Sequence, residues 1–310
     1  VLANRDRLLV STVRRLAAER GVEVASFAGD WILRLTRGAW TEHVVGYVFP
    51  LNSAGARAVS ADKAATAELL AARGVPCVAH HLVLRPDLAP YVGSGGNWRR
   101  LLDLGERHGW DLVVKPNEGT GGEGVVRVRS ARELEAAIHD GFARHRALAL
   151  SPFHEIETEY RAVLLDDEGL LTYAKRRPVV VGDGARSVGV LAEAAGLDAS
   201  LLALDLRGRV PDEGRRVLLD WRHNLQLGSV PRPIDDAATR AEVERLAAAA
   251  AGTLGLRFAS VDVVETADGL AVLEANAGVM LEAYARAVPG GPATAQQIYG
   301  AALDALLAGR

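Results

Sequence analysis

Apolar residues at Leu8, Leu9, Val13, Leu16 and Ala17 recur at the spacing of one helix face, and the run stops at Gly21. Residues 22–27 then read as a strand, and 43–49 as a second. Helical spacing returns over 61–73, closed by Gly74 and Pro76, and residues 77–84 read as a strand. A Pro- and Gly-rich loop over 85–97 leads to a short helix at 98–108. Strands at 110–115 and 124–128 flank a glycine-rich turn. Ser130 with Glu133 three residues on has the capping-box pattern for the next helix. Strands follow at 147–150, 158–165 and 170–175. Residues 178–233 look irregular except for a helix at 188–195. An alanine-rich helix over 235–252 precedes a hairpin, 258–265 and 270–274, turning at Asp268-Gly269. A last helix spans 293–307. Helices alternate with strands early and antiparallel pairs follow late, so the fold class is α/β (α+β), arranged as subdomains around a cleft. An α/β unit normally opens with a strand, none precedes the first helix, and residue 1 is not Met. The expectation is that further residues precede Val1.

Composition narrows the function classes. The 310 residues are 49% hydrophobic and 24% charged, which is globular. A net charge of −3 argues against a nucleic-acid partner at whole-chain level. No apolar run reaches the ~18 residues that cross a bilayer, and residues 1–10 lack the apolar core of a secretory signal. The expectation is a cytoplasmic protein without a membrane partner. A single cysteine, Cys77, excludes an internal disulfide and a multi-cysteine metal site. The eight histidines show no metal-ligand spacing. Of the 36 basic residues only Lys63, Lys115 and Lys175 are lysine. Arginine replaces lysine well for solubility but not as a compact ammonium at a phosphate site, so each surviving lysine draws attention.

Two motifs carry chemistry. In Val113-Val114-Lys115-Pro116-Asn117-Glu118-Gly119-Thr120-Gly121-Gly122-Glu123-Gly124, a hydrophobic strand delivers a lysine into a glycine run. Glycines let backbone N–H groups approach an anion, and the lysine adds a point charge for phosphate. No helix follows, so this is neither a Walker loop nor a dinucleotide turn. Near the C terminus, Asp262 lies on one strand of the late hairpin, and Glu274 and Asn276 on the other. Glu274 and Asn276 are two apart and share a strand face. Three hard oxygen donors meeting there suit Mg²⁺, and acids within apolar runs would be costly if unpaired.

Together these motifs resemble the ATP-grasp superfamily of carboxylate–amine ligases. Asp62-Lys63 with Thr66 and the Gly74-Val75-Pro76 ending is similar to the start of the N-terminal lobe. Ser151-Pro152-Phe153 followed by Glu159-Tyr160-Arg161 is similar to the hinge and the strand after it. Arg222-His223-Asn224 resembles the Arg-x-Asn segment of ribosomal-protein glutamate ligases. Val181-Gly182-Asp183-Gly184 resembles cyanophycin synthetase and fused glutathione synthetases. The resemblance covers roughly residues 60–285. It implies an ATP-grasp fold, two α+β lobes (61–150 and 151–310) enclosing a nucleotide, preceded by a short α/β N-terminal domain (1–60). It further implies that ATP is held by Lys63, Lys115, Lys175, the loop Glu118, Gly119, Thr120, Gly121 and Gly122, the hinge Ser151, Phe153 and His154, and Glu159. Mg²⁺, with Mn²⁺ as substitute, would sit on Asp262, Glu274 and Asn276. All three lysines fall in segments that contact phosphate in this family. One departure stands out: D-alanine–D-alanine ligases carry an arginine two residues before the first metal aspartate, and here that residue is Ser260. Arg222 is the first choice to supply the cation, with Arg176 or Arg161 in reserve, and Arg222, Lys175 and Asn224 form the expected catalytic group.

The implied reaction is amide formation through an acyl phosphate, with release of ADP and phosphate. Carboxylate and amine substrates, an amino acid or small peptide, are the expected partners, and analogy points to a homodimer. Arginines 176, 177, 186, 215, 216 and 222 crowd the segment on the substrate side in relatives and suit a carboxylate, while Met280 and Tyr284 stand as acceptor-pocket candidates. Other ATP-grasp chemistry (carboxylation or phosphoryl transfer) and a non-catalytic nucleotide-binding protein are the competing readings.

Overall fold

A computed structural model describes residues 7–88, 90, 98–119, 121–225 and 228–308. The first helix, α1 (Leu8–Glu19), is followed by an antiparallel meander of β1 (Glu23–Phe27), β2 (Ile32–Arg37) and β3 (Trp40–Val45). The N-terminal unit is therefore a helix on an antiparallel sheet rather than an alternating α/β unit. The sequence pattern missed β2, although Leu33 and Leu35 alternate and are fully buried. Its entry turn sets Ala28 and Asp30 at positive φ, where alanine gives no turn signal. The strand expected at 43–49 ends at Val45, because Gly46 turns the chain at φ 62° and Val45 bridges back to Val48. Two capped helices follow. Ser53 caps α2 (Ala54–Ala61), and Asp62 caps α3 (Lys63–Ala72) by accepting from the Ala65 N–H at 2.8 Å.

A four-stranded antiparallel sheet comes next, in the order β4 (His81–Leu84), β7 (Ala147–Pro152), β5 (Leu112–Pro116), β6 (Val126–Val128). Helices α4 (Trp98–Arg107) and α5 (Ala131–Phe142) bury Leu101, Leu104, Leu134 and Ile138 against it. The strand expected at 77–84 is shorter than its pattern: Cys77 makes only a parallel bridge to Val272.

The largest sheet runs β12 (Val230–Arg232), β9 (Glu168–Arg176), β8 (Glu159–Leu165), β13 (Phe258–Thr266), β14 (Gly269–Asn276). One face carries Ala162, Leu164, Val261 and Val263 and is covered by α8 (Ala237–Leu254) through Val243, Leu246, Ala247 and Ala250. Small alanines on α8 let the helix lie close to the sheet. At one end of the opposite face, Val163 and Phe258 pack with the N-terminal unit and with α10 (Gly291–Ala308), which follows α9 (Glu282–Ala287). Between β9 and β12 an excursion forms its own small unit. There β10 (Val179–Val181) pairs with β11 (Arg216–Leu218), and α6 (Val188–Ala194) and α7 (Leu204–Gly208) close a separate apolar cluster around Val180, Val188, Leu191 and Val217.

Phe49 is the wedge that joins the N-terminal unit to the large sheet. It is fully buried, edge-on to Phe258 at 5.5 Å and stacked on Tyr299 at 6.2 Å. Asn52 adds a polar latch, accepting from the N–H groups of Arg257 and Phe258 and donating to the Phe258 carbonyl. Phe49→Ala is expected to cost about 3–5 kcal/mol, because the surrounding rings cannot collapse into the space. Urea unfolding of wild type and variant checks this; an unchanged midpoint would contradict it.

Candidate functional site

The uncovered part of the large sheet's second face is polar. Directly opposed residues of antiparallel strands project to the same side. Asp262 faces Glu274 on β14 and Arg161 on β8, and Arg161 in turn faces Tyr173 on β9. Ser260 opposes Asn276, and Glu159 opposes Lys175. A register break after Asp262 leaves Leu273 as an extra residue in β14. This bulge keeps Val272 in the core opposite Val263, while Leu273 and Glu274 both line the cleft.

Four charges on this face form a closed buried row. The Arg161 guanidinium donates two bonds to the Asp262 carboxylate, at 2.7 and 2.6 Å. Lys175 Nζ donates to Asp262 Oδ1 at 2.8 Å and also to Glu159 Oε1. The Asp262 and Lys175 side chains are 2% and 4% exposed. Burial pushes the Asp262 carboxyl up, but Arg161 and Lys175 outweigh it and hold the group well below the usual carboxylate range. Burial raises Glu159 above that range despite Lys175. Arg161, a reserve choice for the cation absent at Ser260, stands directly across the strand from Asp262. Arg222, the first choice, also lines the cleft and is paired with Asp220 at 2.7 Å.

The other two lysines and the glycine loop line the same cleft as this row. Lys115 leaves the end of β5 almost fully buried and makes no hydrogen bond among the described residues. Burial depresses its ammonium to about 8, against the pull of Glu274. Lys63 Nζ donates to the Gly119 carbonyl at 2.7 Å, and Asn117 binds the start of α3 through its side chain and carbonyl. From the other wall, Asn224 Nδ2 donates to the Gly121 carbonyl at 2.6 Å and Arg222 to the Gly122 carbonyl at 3.1 Å. The glycine loop is therefore stapled from both sides, with Gly119, Gly121 and Gly122 at φ 130°, 78° and 72°, where a side chain would strain the backbone. Glu118 is exposed and is not part of the cleft lining. Thr120 lies outside the described residues.

The cleft encloses about 720 Å³. At one end Ser151, Phe153 and His154 line it together with Trp221 and Arg127, two residues the sequence reading did not single out. Arg127 is clamped by Asp111 through two 2.7 Å bonds, with its guanidinium 3.3 Å from the centre of the Phe153 ring. Phe153 meets Trp221 at 5.7 Å. The aromatic side chain beside Arg222 was the one available signal for Trp221. Arg127 had none, because its role comes from pairing β6 with β5. Of the six arginines expected on the substrate side, only Arg177 and Arg222 line the cleft. The excursion carries Arg186 and Arg215 away, paired with Asp183 and Asp212. Met280 lines the cleft, whereas Tyr284 packs on Tyr173 at 5.0 Å.

Asp262, Glu274 and Asn276 all line the cleft, and Asn276 Nδ2 donates to Glu274 Oε1 at 3.2 Å. Among the described residues no three His, Cys, Asp or Glu cluster for a metal. A cation here would rest on two carboxylates and one amide, with its remaining ligands from substrate. That hard-oxygen set fits Mg²⁺. Arg161→Met removes the bidentate partner of a buried carboxylate and is expected to cost about 3–5 kcal/mol. Arg245→Met, which breaks an exposed pair with Glu242, should cost less than about 1 kcal/mol. Equal denaturation midpoints for the two variants would contradict the buried row.

Residues 210–297 match the family profile of the RimK-like ATP-grasp domain. The ribosomal protein bS6–L-glutamate ligase of Salmonella paratyphi B is 30% identical over 239 residues, covering 76% of this chain and 61% of that protein. The chain spans about three fifths of the length of the curated relatives it matches. Among solved structures, a bifunctional glutathione synthetase from Pasteurella multocida superposes with a TM-score of 0.53 at 17% identity, over 96% of this chain and 44% of that one. A D-alanine–D-alanine ligase from Bacillus anthracis gives 0.55 at 16% identity, over 82% and 68%. At these identities the likeness shows the fold. Residues 210–297 are thus similar to the RimK-like ATP-grasp domain, and the chain shares its fold with these two ligase structures.

Proposed function

We propose that this protein is an ATP-dependent carboxylate–amine ligase that joins an amino acid or small peptide through an acyl phosphate. The observation that carries the reading is convergence: all three lysines of the chain and the Asp262, Glu274 and Asn276 oxygens line one cleft. The names of the relatives point the same way, one to glutamate ligation and another to glutathione synthesis.

In this reading Phe153, Trp221 and Leu273 enclose the nucleobase and Glu159 meets the ribose. Lys63, Lys115 and Lys175 neutralise the phosphates. Asp262, Glu274 and Asn276 would hold Mg²⁺ or Mn²⁺, which supplies further charge neutralisation on the phosphates. A substrate carboxylate oxygen attacks the γ-phosphorus and ADP leaves. The amine then attacks the acyl carbon, phosphate leaves, and the amine proton passes to solvent or base. The chain's own work is positioning and electrostatic stabilisation. Arg161 and Lys175 keep Asp262 ionised and oriented. Arg222 and Asn224 hold the glycine loop across the cleft, where it shields the acyl phosphate from water.

ADP release with Mg-ATP and pooled amino acids and short peptides tests this. Release that requires the pool, carries ¹⁸O from a labelled carboxylate into phosphate, and disappears in Lys115→Ala and Asp262→Ala is expected. Release without ¹⁸O transfer would overturn the acyl-phosphate route. Lys115 also sets a pH dependence. Its charged form binds phosphate and its depressed value lies near 8, so nucleotide affinity should fall as pH rises from 7 to 9, by up to about tenfold per unit above 8. Lys115→Met should bind weakly with no such slope, measured by equilibrium titration; a wild-type affinity flat to pH 9.5 would contradict the assignment.

A further inference from the structure

Part of the cleft lining comes from the N-terminal unit, and the mechanism above does not use it. Trp31 and Tyr47 form its wall, and Arg57 of α2 reaches its rim. The wall is fixed in place. The Gly46 N–H donates to the Trp31 carbonyl at 2.8 Å, and a Cβ on Gly46 would fall 2.7 Å from the Trp31 ring. The Arg7 guanidinium lies 5.3 Å from the Trp31 ring and 4.9 Å from the Tyr47 ring, and donates to the Gly46 carbonyl. The Tyr47 carbonyl accepts from the Val279 N–H at 3.1 Å, which docks this turn three residues past Asn276. Yet the Trp31 side is open, with 48% of the residue exposed. A rigid, half-exposed indole beside a site of group transfer is a surface waiting for an apolar body.

Arg57 adds the charge logic. It makes no side-chain hydrogen bond or ion pair to any described residue, whereas Lys63 is bound to the glycine loop and Arg7 to the Gly46 carbonyl. Among the described residues, Arg57 therefore offers an exposed guanidinium without a side-chain partner beside an aromatic and aliphatic wall that includes Val48 and Met280, whereas the unpartnered Nε and Nη1 of Arg7 are buried. One guanidinium matches one carboxylate through paired N–H donors. A second carboxylate, as on glutamate, would be desolvated here against indole and thioether, because the free nitrogens of Arg7 are buried against the Trp31 and Tyr47 rings.

Resting on the ligase reading, we propose that Trp31, Tyr47 and Arg57 form the subsite for an amino acid or peptide that presents a free carboxylate and an aromatic or large aliphatic side chain. Arg57 grips the carboxylate, and the Trp31–Tyr47 wall receives the side chain.

The test is a tryptophan-fluorescence titration of the full chain with phenylalanine, N-acetylphenylalanine and glutamate, in the presence of Mg²⁺ and adenylyl-imidodiphosphate. Phenylalanine or its N-acetyl form should change the emission saturably and bind at least tenfold tighter than glutamate. Arg57→Gln should weaken that binding at least tenfold, and Trp31→Phe should remove most of the signal, with nucleotide affinity and the unfolding midpoint unchanged in both. Glutamate binding as tightly as the aromatic probes, or Arg57→Gln binding them like wild type, would overturn the proposal. Loss of the ligase reading itself would register separately, as a failure of nucleotide to bind or of ADP to form.

Discussion

Two acids and two bases buried on one sheet face would destabilise the chain if any of them stood alone. Arg161, Asp262, Lys175 and Glu159 avoid this only because β8, β9 and β13 are in one register, which sets Arg161 across from Asp262 and Lys175 across from Glu159. A slip of one residue would send these charges into the apolar layer beneath α8. The row therefore constrains the register of the sheet, and the register in turn places the cleft. The same pairing brings Glu274 opposite Asp262, and the bulge at Leu273 lets the polar pattern near Asn276 coexist with the apolar pattern beyond Val272.

Three structural units then converge on that face. The four-stranded sheet delivers Lys115 and the glycine loop. The segment after β11 delivers Trp221, Arg222 and Asn224, and the N-terminal unit delivers Trp31 and Tyr47. The loop bonds to groups on both walls, so its position reports on whether the walls are close together. Aromatic rings from the Phe153–Trp221 contact and from the N-terminal unit line the cleft together with the charged row and its oxygen donors.

Which residues meet in the cleft was more legible in the sequence than the architecture. Lysine scarcity marked Lys63, Lys115 and Lys175, and the spacing of Asp262, Glu274 and Asn276 survived intact, because strand periodicity preserves which residues share a face. Long periodic elements such as α1, α8 and the β13–β14 hairpin were equally clear. What stayed hidden depended on partners distant in sequence. No local pattern shows that residue 161 pairs across to residue 262. β2 was hidden by a turn with alanine at positive φ. The arginines of 186–216 looked like substrate ligands until the excursion closed on its own core of Val180, Val188 and Leu191.

The central claim is that Asp262, Glu274 and Asn276 hold a divalent cation against nucleotide phosphates in this cleft. Equilibrium titration of adenylyl-imidodiphosphate, with and without Mg²⁺, into wild type and Glu274→Gln measures it most directly. The account predicts tight binding to wild type that depends on Mg²⁺, and in Glu274→Gln a loss of at least tenfold with little remaining metal dependence. Nucleotide bound equally well without Mg²⁺, or equally well by Glu274→Gln in its presence, would contradict it.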